Sequence, residues 1–395
     1  MQEKVRKGLS RIFHYQIENE PEGNPGDLAV IYNSSNRFLA IGLYDPASPV
    51  RLRVLQRGKP AEISVDFFIN LLRLAEQKRR ALRLSGTTGY RLINGEGDGF
   101  SGLVLDCYGE SAVLKIYAEC WLPHLKKLLL ALHSVADFQR IVLRLSRELQ
   151  SEISNRATGV PYFDGQMLYG ERPSEPVHFK ENGLSFTADL IHGQKTGFFL
   201  DQRENRERVR ELSKGKSVLN VFSYTGAFSV YAKAGGAESV FEIDANGKAL
   251  EASRRHWKIN FSQDGGPGQN GLEQLEGDAF FHLEELRRKK KRWDIVILDP
   301  PAFARNKKQV ETALKSYFRL AQSGARLLKK NGILISASCS KPVGKERFFN
   351  AIERALSKEG LNFKELWRNC HAMDHPAVCQ DDEYLKAICF NVKKE

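Results

Sequence analysis

The sequence predicts an α/β protein with a β-rich N-terminal unit, an α+β middle unit and a C-terminal parallel sheet wound with helices. Its 395 residues allow two or three domains, at about 100 to 200 residues each. Short β-rich runs dominate residues 27–55, whereas apolar strands alternate with long helices only after residue 217. We therefore predict three domains, at residues 1–62, 63–172 and 173–395, with the last entered through a β-hairpin.

The composition excludes a disordered chain. Hydrophobic residues make up 42% and charged residues 27%, values typical of proteins that bury a core. The net charge of +12 favours a polyanionic partner, and an acidic membrane surface would suit that charge equally well.

Neither a membrane protein nor a metalloprotein is indicated. No apolar run approaches the roughly 20 residues that cross a bilayer, and the N-terminus lacks the apolar core of a secretion signal. We expect a cytoplasmic protein without a membrane partner. The six cysteines contain no C-x-x-C pair, so we predict reduced thiols and no metal site.

The first two units can be read from turns and periodicity. LAVIY, RFLAIGLY and VRLRVL alternate with turn residues and predict a small all-β unit, followed by an amphipathic helix from residue 65. YRLING, LVLDCY and AVLKIY then predict strands, followed by a helix at 122–132 and a strand at 140–145. EGDGF lacks the spacing of a calcium loop and predicts a turn.

The third unit reads as a doubly wound sheet. SVLNVF, SVFEID, DIVILD and GILISAS are strands of the kind buried on both faces, with helices predicted at 228–233, 247–259 and 311–328. FKELWR and YLKAICFNV add two final strands. Ligands of such sheets lie at the carboxyl ends of the strands.

The first of these strands runs into NVFSYTG, where Asn220, Phe222, Thr225 and Gly226 are candidate cofactor contacts. A dinucleotide fingerprint would need three glycines to approach a pyrophosphate, and only Gly226 is present. One close backbone approach suits a ligand without phosphates, such as S-adenosylmethionine. An ordinary strand-to-helix turn fits this motif alone about as well.

Two further acids follow predicted strands. Asp244 lies 18 residues after Gly226, near the offset at which a carboxylate reaches a ribose diol. Asp278 could accept a hydrogen bond from the adenine amino group. Capping of the next helix is the alternative for each of them.

The last two parallel strands end in reactive groups. Asp299 opens DPPAF, where it would stand beside the reactive end of the cofactor, so it is also a candidate cofactor contact. Cys339 lies in SCS at the end of the fifth strand. A thiolate that adds to carbon 6 of a pyrimidine activates carbon 5 for methylation, and Asp299 could stabilise the charge that develops. Inert burial is the alternative for Cys339.

Basic residues near these strand ends are candidate phosphate contacts. They are Arg305, Lys307, Lys308 and Lys341. Lys341 could instead lower the pKa of the Cys339 thiol, and it could equally be a solvated lysine. The denser run at 287–292 precedes the fourth strand, so we expect it on the opposite side, as a solvated helix end.

These motifs resemble a known family. GQKTGFFLDQRENR (193–206), NVFSYTGAFS, DPPAF, SCS and DHP occur in the order found in RlmI-like class I methyltransferases, which form 5-methylcytosine in large-subunit ribosomal RNA. YRLINGEGDGFSGLVLD is similar to the middle domain of that family, and the first sixty or so residues to its PUA domain.

The resemblance implies a PUA-like N-terminal domain, an α+β middle domain and a Rossmann-like methyltransferase domain. It also implies S-adenosylmethionine as methyl donor, Cys339 as nucleophile, and Gln202 and Arg203 as cofactor contacts. The implied substrate is a cytosine flipped out of 23S ribosomal RNA before full subunit assembly, and a homodimer is left open. Guanine-N7 methylation and a non-catalytic RNA-binding assembly factor are the alternatives.

Overall fold

The computed structural model describes residues 2–20, 22–154, 161–261, 271–378 and 383–393. The chain forms two compact units. The first consists of Met1–Gly183, Thr187–Leu200 and Met373–Val378. The second consists of Leu184–Phe186, Asp201–Ala372 and Cys379–Glu395. Two short stretches therefore complete the first unit, and one of them, Met373–Val378, is distant in sequence from residues 1–183.

The first unit begins with a four-stranded antiparallel sheet in the order β1-β4-β3-β2. Its elements are α1 (Gln2–Arg6), β1 (Arg11–Phe13), β2 (Leu28–Tyr32), β3 (Phe38–Tyr44) and β4 (Val50–Arg57). The three predicted strands, β2 to β4, are confirmed. The sequence reading missed α1 and β1, because elements of three to five residues are too short to show a period. Val5 and Ile12 from these two elements nevertheless lie in the core of the sheet.

A five-stranded sheet in the order β5-β6-β7-β8-β9 follows. The elements are α2 (Val65–Leu84), β5 (Gly89–Asn94), β6 (Leu103–Tyr108), β7 (Ser111–Ile116), α3 (Leu125–Val135), β8 (Arg140–Leu145), α4 (Arg147–Ser154) and β9 (Met167–Tyr169). Ser64 caps α2 by accepting from the backbone N–H of Phe67, 3.3 Å away. The helix predicted from residue 122 begins as an α-helix only at Leu125, because a 3-10 turn containing Pro123 precedes it.

The EGDGF segment is a turn, as predicted, and its acid is structural. Both Asp98 oxygens accept from the guanidinium of Arg79, at 2.7 and 2.6 Å, and both side chains are buried. The same guanidinium donates to the backbone oxygen of Asp374, 2.8 Å away. The DHP segment is therefore tied to the first unit.

A two-stranded sheet, β10 (Val177–Glu181) and β11 (Leu184–Ala188), provides the predicted hairpin. β10 and the last two residues of β11 belong to the first unit, and Leu184–Phe186 belongs to the second. The next elements, all of the second unit, are α5 (Arg203–Leu212), β12 (Ser217–Val221), α6 (Ala227–Ala234), β13 (Ser239–Asp244), α7 (Gly247–Phe261), β14 (Leu272–Glu276) and α8 (Ala279–Arg288). The second unit ends with β15 (Trp293–Leu298), α9 (Val310–Arg326), β16 (Leu328–Ser338), α10 (Lys345–Lys358), β17 (Asn362–Asn369) and β18 (Lys386–Lys393).

These strands form a seven-stranded sheet in the order β14-β13-β12-β15-β16-β18-β17. β12 to β16 are parallel, and β18 runs antiparallel to both of its neighbours. Helices bury both faces, so Leu219 and Leu298 belong to one core cluster and Val218 and Ile297 to another. The strand order reverses between β12 and β15, which is where such a sheet opens a crevice for a ligand.

Among the described residues, no helix is long and apolar enough to span a bilayer. Among the described cysteines, which are Cys107, Cys120, Cys339, Cys370 and Cys389, none forms a disulfide. Cys379 lies outside the described residues.

Candidate functional site

The loop after β12 has a strained backbone. Phe222, Tyr224 and Gly226 all adopt left-handed conformations, with φ of 62°, 50° and 72°. For a residue with a side chain this conformation costs about 1 to 2 kcal/mol, so the surrounding structure must hold it in place. Two hydrogen bonds do so: Phe222 N–H donates to the backbone oxygen of Ile243, and Tyr224 N–H donates to Asp244 Oδ2, both at 2.8 Å.

Gly226 is required by close packing as well as by its backbone angle. A Cβ at this position would lie 1.9 Å from Ser253 Oγ and 2.7 Å from Glu242 Oε1. The sequence predicted a close backbone approach to a ligand. In the structure, the backbone of Gly226 also lies close to two polar side chains of the protein, those of Ser253 and Glu242.

Those side chains form a buried polar cluster. Ser253 Oγ donates to Glu242 at 2.8 Å, and Gln274 Nε2 donates to the same carboxyl group at 2.6 Å. Asn220 Nδ2 donates to Ser229 Oγ at 3.0 Å, and Ser229 in turn hydrogen-bonds Glu242. Asn220 is fully buried, and through its hydrogen bond to Ser229 of α6 this cofactor candidate belongs to the buried cluster.

Glu242 is the ionisable residue in the middle of the apolar strand β13. Burial raises the pKa of its carboxyl group above the ordinary value of 4.5, and its three hydrogen-bond partners oppose that shift. Folding therefore shifts this carboxyl group towards its protonated form, relative to the unfolded chain. Its contribution to stability is fully present below pH 4.5 and is lost as the pH rises through the raised value.

We expect Glu242→Gln to become more stable relative to the wild type as the pH rises above about 4.5. The neutral amide has no charged form to bury, so the pH-dependent loss disappears. Urea unfolding of both proteins between pH 4 and pH 8 measures the difference at each pH, and Glu273→Gln, on an exposed position of β14, is the matched control. A difference in unfolding free energy that does not vary with pH would contradict this expectation.

Asp244 and Asp278 have different local roles. Asp244 ends β13 and accepts from the backbone N–H groups of Tyr224 and Asn246, both at 2.8 Å. It does not cap α7, because Asn246 Oδ1 accepts from Ala249 N–H, 3.3 Å away. Asp278 does cap α8, since its Oδ1 accepts from Phe281 N–H at 2.8 Å. The capping alternative is thus wrong for Asp244 and confirmed for Asp278.

Asp299 is held by a chain of amide side chains. Gln202 Nε2 donates to Asp299 Oδ2 at 2.9 Å, and Asn205 Nδ2 donates to Gln202 Oε1 at 2.6 Å. Asn369, which ends β17, donates to Asn205 Oδ1 at 2.8 Å. Gln202 and Asn205 belong to the QRENR motif, so this motif orients the acid of the DPP motif. Asn205 and Asn369 were missed, because only the tertiary structure brings them to Asp299.

Arg203 is buried beside this chain. Its guanidinium lies 3.3 Å from Glu204 Oε1, and its side chain is only 1% exposed. The side chain therefore packs inside the second unit.

The loop that carries Cys339 is fixed on both sides of the thiol. Ser338 Oγ and Ser340 Oγ each hydrogen-bond the Tyr317 hydroxyl of α9, both at 2.8 Å. Ser340 Oγ also accepts from Ala304 N–H of the DPPAF loop, 3.2 Å away. Cys339 itself is half-buried, in contrast to the fully buried Cys389 of β18. The two serines of SCS are thus buried supports, and the residue between them retains access to solvent.

Tyr317 and Lys386 are the supports that sequence reasoning missed. Tyr317 lies in a helix with an ordinary apolar period, which gave no signal. Lys386 offered one signal, because it is a lysine in the apolar strand KAICF.

The four basic candidates are exposed at neighbouring strand ends. Arg305, Lys307 and Lys308 follow β15, and Lys341 follows β16. Among the described residues, none of the four forms an ion pair. The run at 287–292 differs, because Arg287 and Arg288 lie 2.7 and 3.3 Å from Glu284. That helix end is exposed and partly neutralised.

The loops that follow β12, β13, β14 and β15 match the chemistry of S-adenosylmethionine. Carboxyl groups of Asp244, Asp278 and Asp299 can accept from ribose hydroxyls, the adenine amine and an ammonium group. The buried hydroxyl of Ser223, within the strained loop, has no partner among the described residues. No cluster of three potential metal ligands occurs in the described ranges. The residues present thus fit a donor-rich nucleoside without phosphates.

Comparisons with known proteins agree with this site. Residues 160–391 match the model of the S-adenosylmethionine-dependent methyltransferases, and residues 2–57 match a PUA-like domain. A ribosomal RNA large subunit methyltransferase of Deinococcus radiodurans is 42% identical over 97% of this chain and 93% of its own length. A ribosomal RNA large subunit methyltransferase I of Aeromonas salmonicida is 34% identical, with the same coverage.

Solved structures show the same fold. A putative SAM-dependent methyltransferase from Streptococcus mutans superposes with a TM-score of 0.81 at 25% identity, covering 99% of this chain and 97% of that one. A putative methyltransferase complexed with SAH gives 0.82 at 26% identity, with the same coverage. The predicted PUA-like and Rossmann-like folds and the predicted cofactor are therefore confirmed. The chain belongs to the S-adenosylmethionine-dependent methyltransferase family that includes the ribosomal RNA large subunit methyltransferases.

Proposed function

We propose that this methyltransferase forms 5-methylcytosine in 23S ribosomal RNA, with Cys339 as a covalent nucleophile. One observation carries the proposal: a half-buried thiol and the Asp299 carboxyl group follow the carboxyl ends of two adjacent parallel strands, β16 and β15. The names of the two relatives support ribosomal RNA of the large subunit as the substrate.

Methylation of carbon 5 of cytosine requires a nucleophile that can add to carbon 6 of the ring. Carbon 5 of cytosine is a weak nucleophile, whereas addition of the Cys339 thiolate to carbon 6 makes it an enamine carbon. S-adenosylmethionine, when bound, supplies an electrophilic methyl group. Carbon 5 would take that methyl group as the methyl–sulfonium bond breaks, with S-adenosylhomocysteine as the leaving group. Carbon 5 then loses its proton to a base, the carbon 5–carbon 6 double bond forms again, and the sulfur–carbon 6 bond breaks. Sγ leaves as a thiolate, and the enzyme returns to its initial state once the base has released the proton to solvent.

Asp299 is proposed to face the pyrimidine while the amide chain holds it. A carboxyl group there can hydrogen-bond N3 or the exocyclic amine and stabilise the charge that develops on the ring. Gln202 occupies Oδ2 of Asp299 and so restricts the rotation of that side chain. Because Gln202 already holds the Asp299 carboxyl group in place, that group does not have to reorient during the reaction.

The proposed cofactor contacts follow from the strand ends. We assign Asp244 to the ribose diol, Asp278 to the adenine amine, and the loop of Phe222, Thr225 and Gly226 to the amino acid part. Asn220 and Arg203 are buried, and they are proposed to support those contacts from behind. Gln202 is proposed to act through Asp299.

RNA binding is proposed to use the exposed basic residues and the PUA-like domain. Arg305, Lys307, Lys308 and Lys341 lie on the two loops that also carry Asp299 and Cys339, so they suit phosphates flanking the target base. A base inside duplex RNA must be extruded before a thiol can reach it. We assign the binding of the RNA that flanks the target base to the N-terminal and middle parts of the chain.

The test is a comparison of modified nucleosides in 23S ribosomal RNA from strains with and without this protein. Mass spectrometry is expected to show the loss of 5-methylcytidine at one position, and its return with the wild-type gene. Loss of 7-methylguanosine instead would overturn the proposal in favour of guanine-N7 methylation. An unchanged nucleoside profile would favour a non-catalytic role.

A further inference from the structure

Lys386 is a buried lysine beside the loop of the proposed nucleophile. It begins β18, and its side chain is 1% exposed. Nζ donates to three backbone oxygens, those of Ser340 at 2.6 Å, Val343 at 2.7 Å and Tyr384 at 3.1 Å. An ammonium group has three donors, so all of them are used. Two of the three acceptors belong to the loop that directly follows Cys339.

The charge of this ammonium group has no counter-ion among the described residues. A buried cation without an anion is costly, even when neutral carbonyl groups satisfy its hydrogen bonds. Burial accordingly lowers the pKa of Lys386 to about 8, whereas negative charge on the Cys339 and Cys370 sulfurs raises it. An anion at either thiol would therefore compensate the buried charge.

Cys339 is the thiol whose position suits this role. It is the residue immediately before Ser340, whose backbone oxygen accepts the shortest hydrogen bond of Lys386. The buried hydroxyl network of Tyr317, Ser338 and Ser340 holds the other side of the loop. The other titratable groups around Lys386 and Cys339 include Lys341 in the same loop, Cys370 and His371 after β17, Lys345 of α10 with its partner Glu383, and Tyr384 with its partner Asp201.

We propose that Lys386 is the positioning residue of Cys339, holding its loop through backbone oxygens and stabilising the thiolate with its buried positive charge. This inference rests on the proposed function in one respect only, the assignment of Cys339 as nucleophile. The relation between the lysine and the thiol can be measured without RNA or methyl transfer.

The first measurement is the rate at which iodoacetamide alkylates Cys339 between pH 5 and pH 10, followed by peptide mass spectrometry. In the wild type we expect the rate to rise with a midpoint below about 8.5, the ordinary value for a cysteine. Lys386→Met keeps the length of the side chain and removes its charge. In this variant the midpoint is expected to rise by about one pH unit or more, so alkylation at pH 7 slows about tenfold.

Lys386→Gln and Lys345→Met complete the design. The amide introduced by Lys386→Gln retains an N–H donor without charge, so this variant is expected to show the same raised midpoint of the alkylation rate. If Lys386→Met does not fold, Lys386→Gln takes its place. Lys345 is already paired with Glu383, so Lys345→Met is expected to keep the wild-type profile. Circular dichroism and calorimetric binding of S-adenosylmethionine establish that each variant is folded.

Kinetics on ribosomal RNA separate positioning from binding. In Lys386→Met, kcat is expected to fall about tenfold or more with KM for RNA unchanged, since the thiolate acts only in the chemical step. A wild-type midpoint at or above 8.5, or a midpoint that neither Lys386 variant moves, would overturn the proposal. If Cys339→Ala retained methyl transfer, the proposed function would fail, whereas the alkylation profile would still decide the role of Lys386.

Discussion

Cys339→Ala is expected to lose methyl transfer to ribosomal RNA by a factor of at least about 10⁴. Without the thiolate, carbon 5 of cytosine remains a weak nucleophile, and among the described residues no second thiol follows a strand of the parallel part of this sheet. The measurement is transfer of a radiolabelled methyl group from S-adenosylmethionine to 23S ribosomal RNA lacking the modification. Binding of S-adenosylmethionine is expected to be unchanged, because the substitution removes only the sulfur of a half-buried side chain.

Cys370→Ala is the matched control for this prediction. Cys370 is also a half-buried free thiol of the second unit, but it follows an antiparallel strand, β17, and not a parallel one. We expect this variant to retain activity within about threefold of the wild type, corresponding to less than about 1 kcal/mol. Full activity of Cys339→Ala, or its loss in Cys370→Ala alone, would show that Cys339 is not the nucleophile.

Gly226→Ala is expected to abolish measurable binding of S-adenosylmethionine and to lower the free energy of unfolding by about 2 to 4 kcal/mol. The new methyl group would lie 1.9 Å from Ser253 Oγ, and the φ of 72° disfavours any side chain there. Ser253 and Glu242 are buried and hydrogen-bonded, so they cannot move away without breaking the polar cluster. The strained loop must shift instead. Calorimetry with S-adenosylmethionine and urea unfolding measure the two effects.

Gly360→Ala separates the strain from the clash. Gly360 has a similar φ of 68°, and a Cβ there would meet nothing within 4 Å. Only the left-handed backbone conformation disfavours a side chain there. We therefore expect the free energy of unfolding to fall by about 1 kcal/mol and cofactor binding to be unchanged. Equal losses of stability in the two variants would contradict the packing argument for Gly226.

Most of the fold could be predicted because its signals are local. Apolar runs such as SVLNV and DIVIL predicted buried parallel strands, and the turns around LAVIY predicted the β-rich unit. The omissions include the short elements α1 and β1, which contain too few residues to show a period, and also two longer helices, α4 and α10. The division into three domains stays a prediction, while chain contacts group Thr187–Leu200 and Met373–Val378 with the first unit.

The candidate site could be predicted where chemistry follows a strand directly. Gly226, Asp244, Asp299 and Cys339 were selected because the carboxyl ends of parallel strands meet at one edge of a sheet. The support of these groups could not be predicted in this way. Asn205 and Asn369 are 164 residues apart in sequence, and they join the chain of amides that holds Asp299.

The sequence by itself determined the fold class and the strand ends that carry the candidate reactive groups, because strand period and strand-end position are local properties. S-adenosylmethionine was implied by the resemblance of the motifs to a known family. Only the tertiary structure decided what holds those groups. Gly226 faces the buried Glu242 and Ser253, and Lys386 donates to the loop that follows Cys339. Such contacts join distant segments through the packing of the folded core, and no local pattern of residues encodes them.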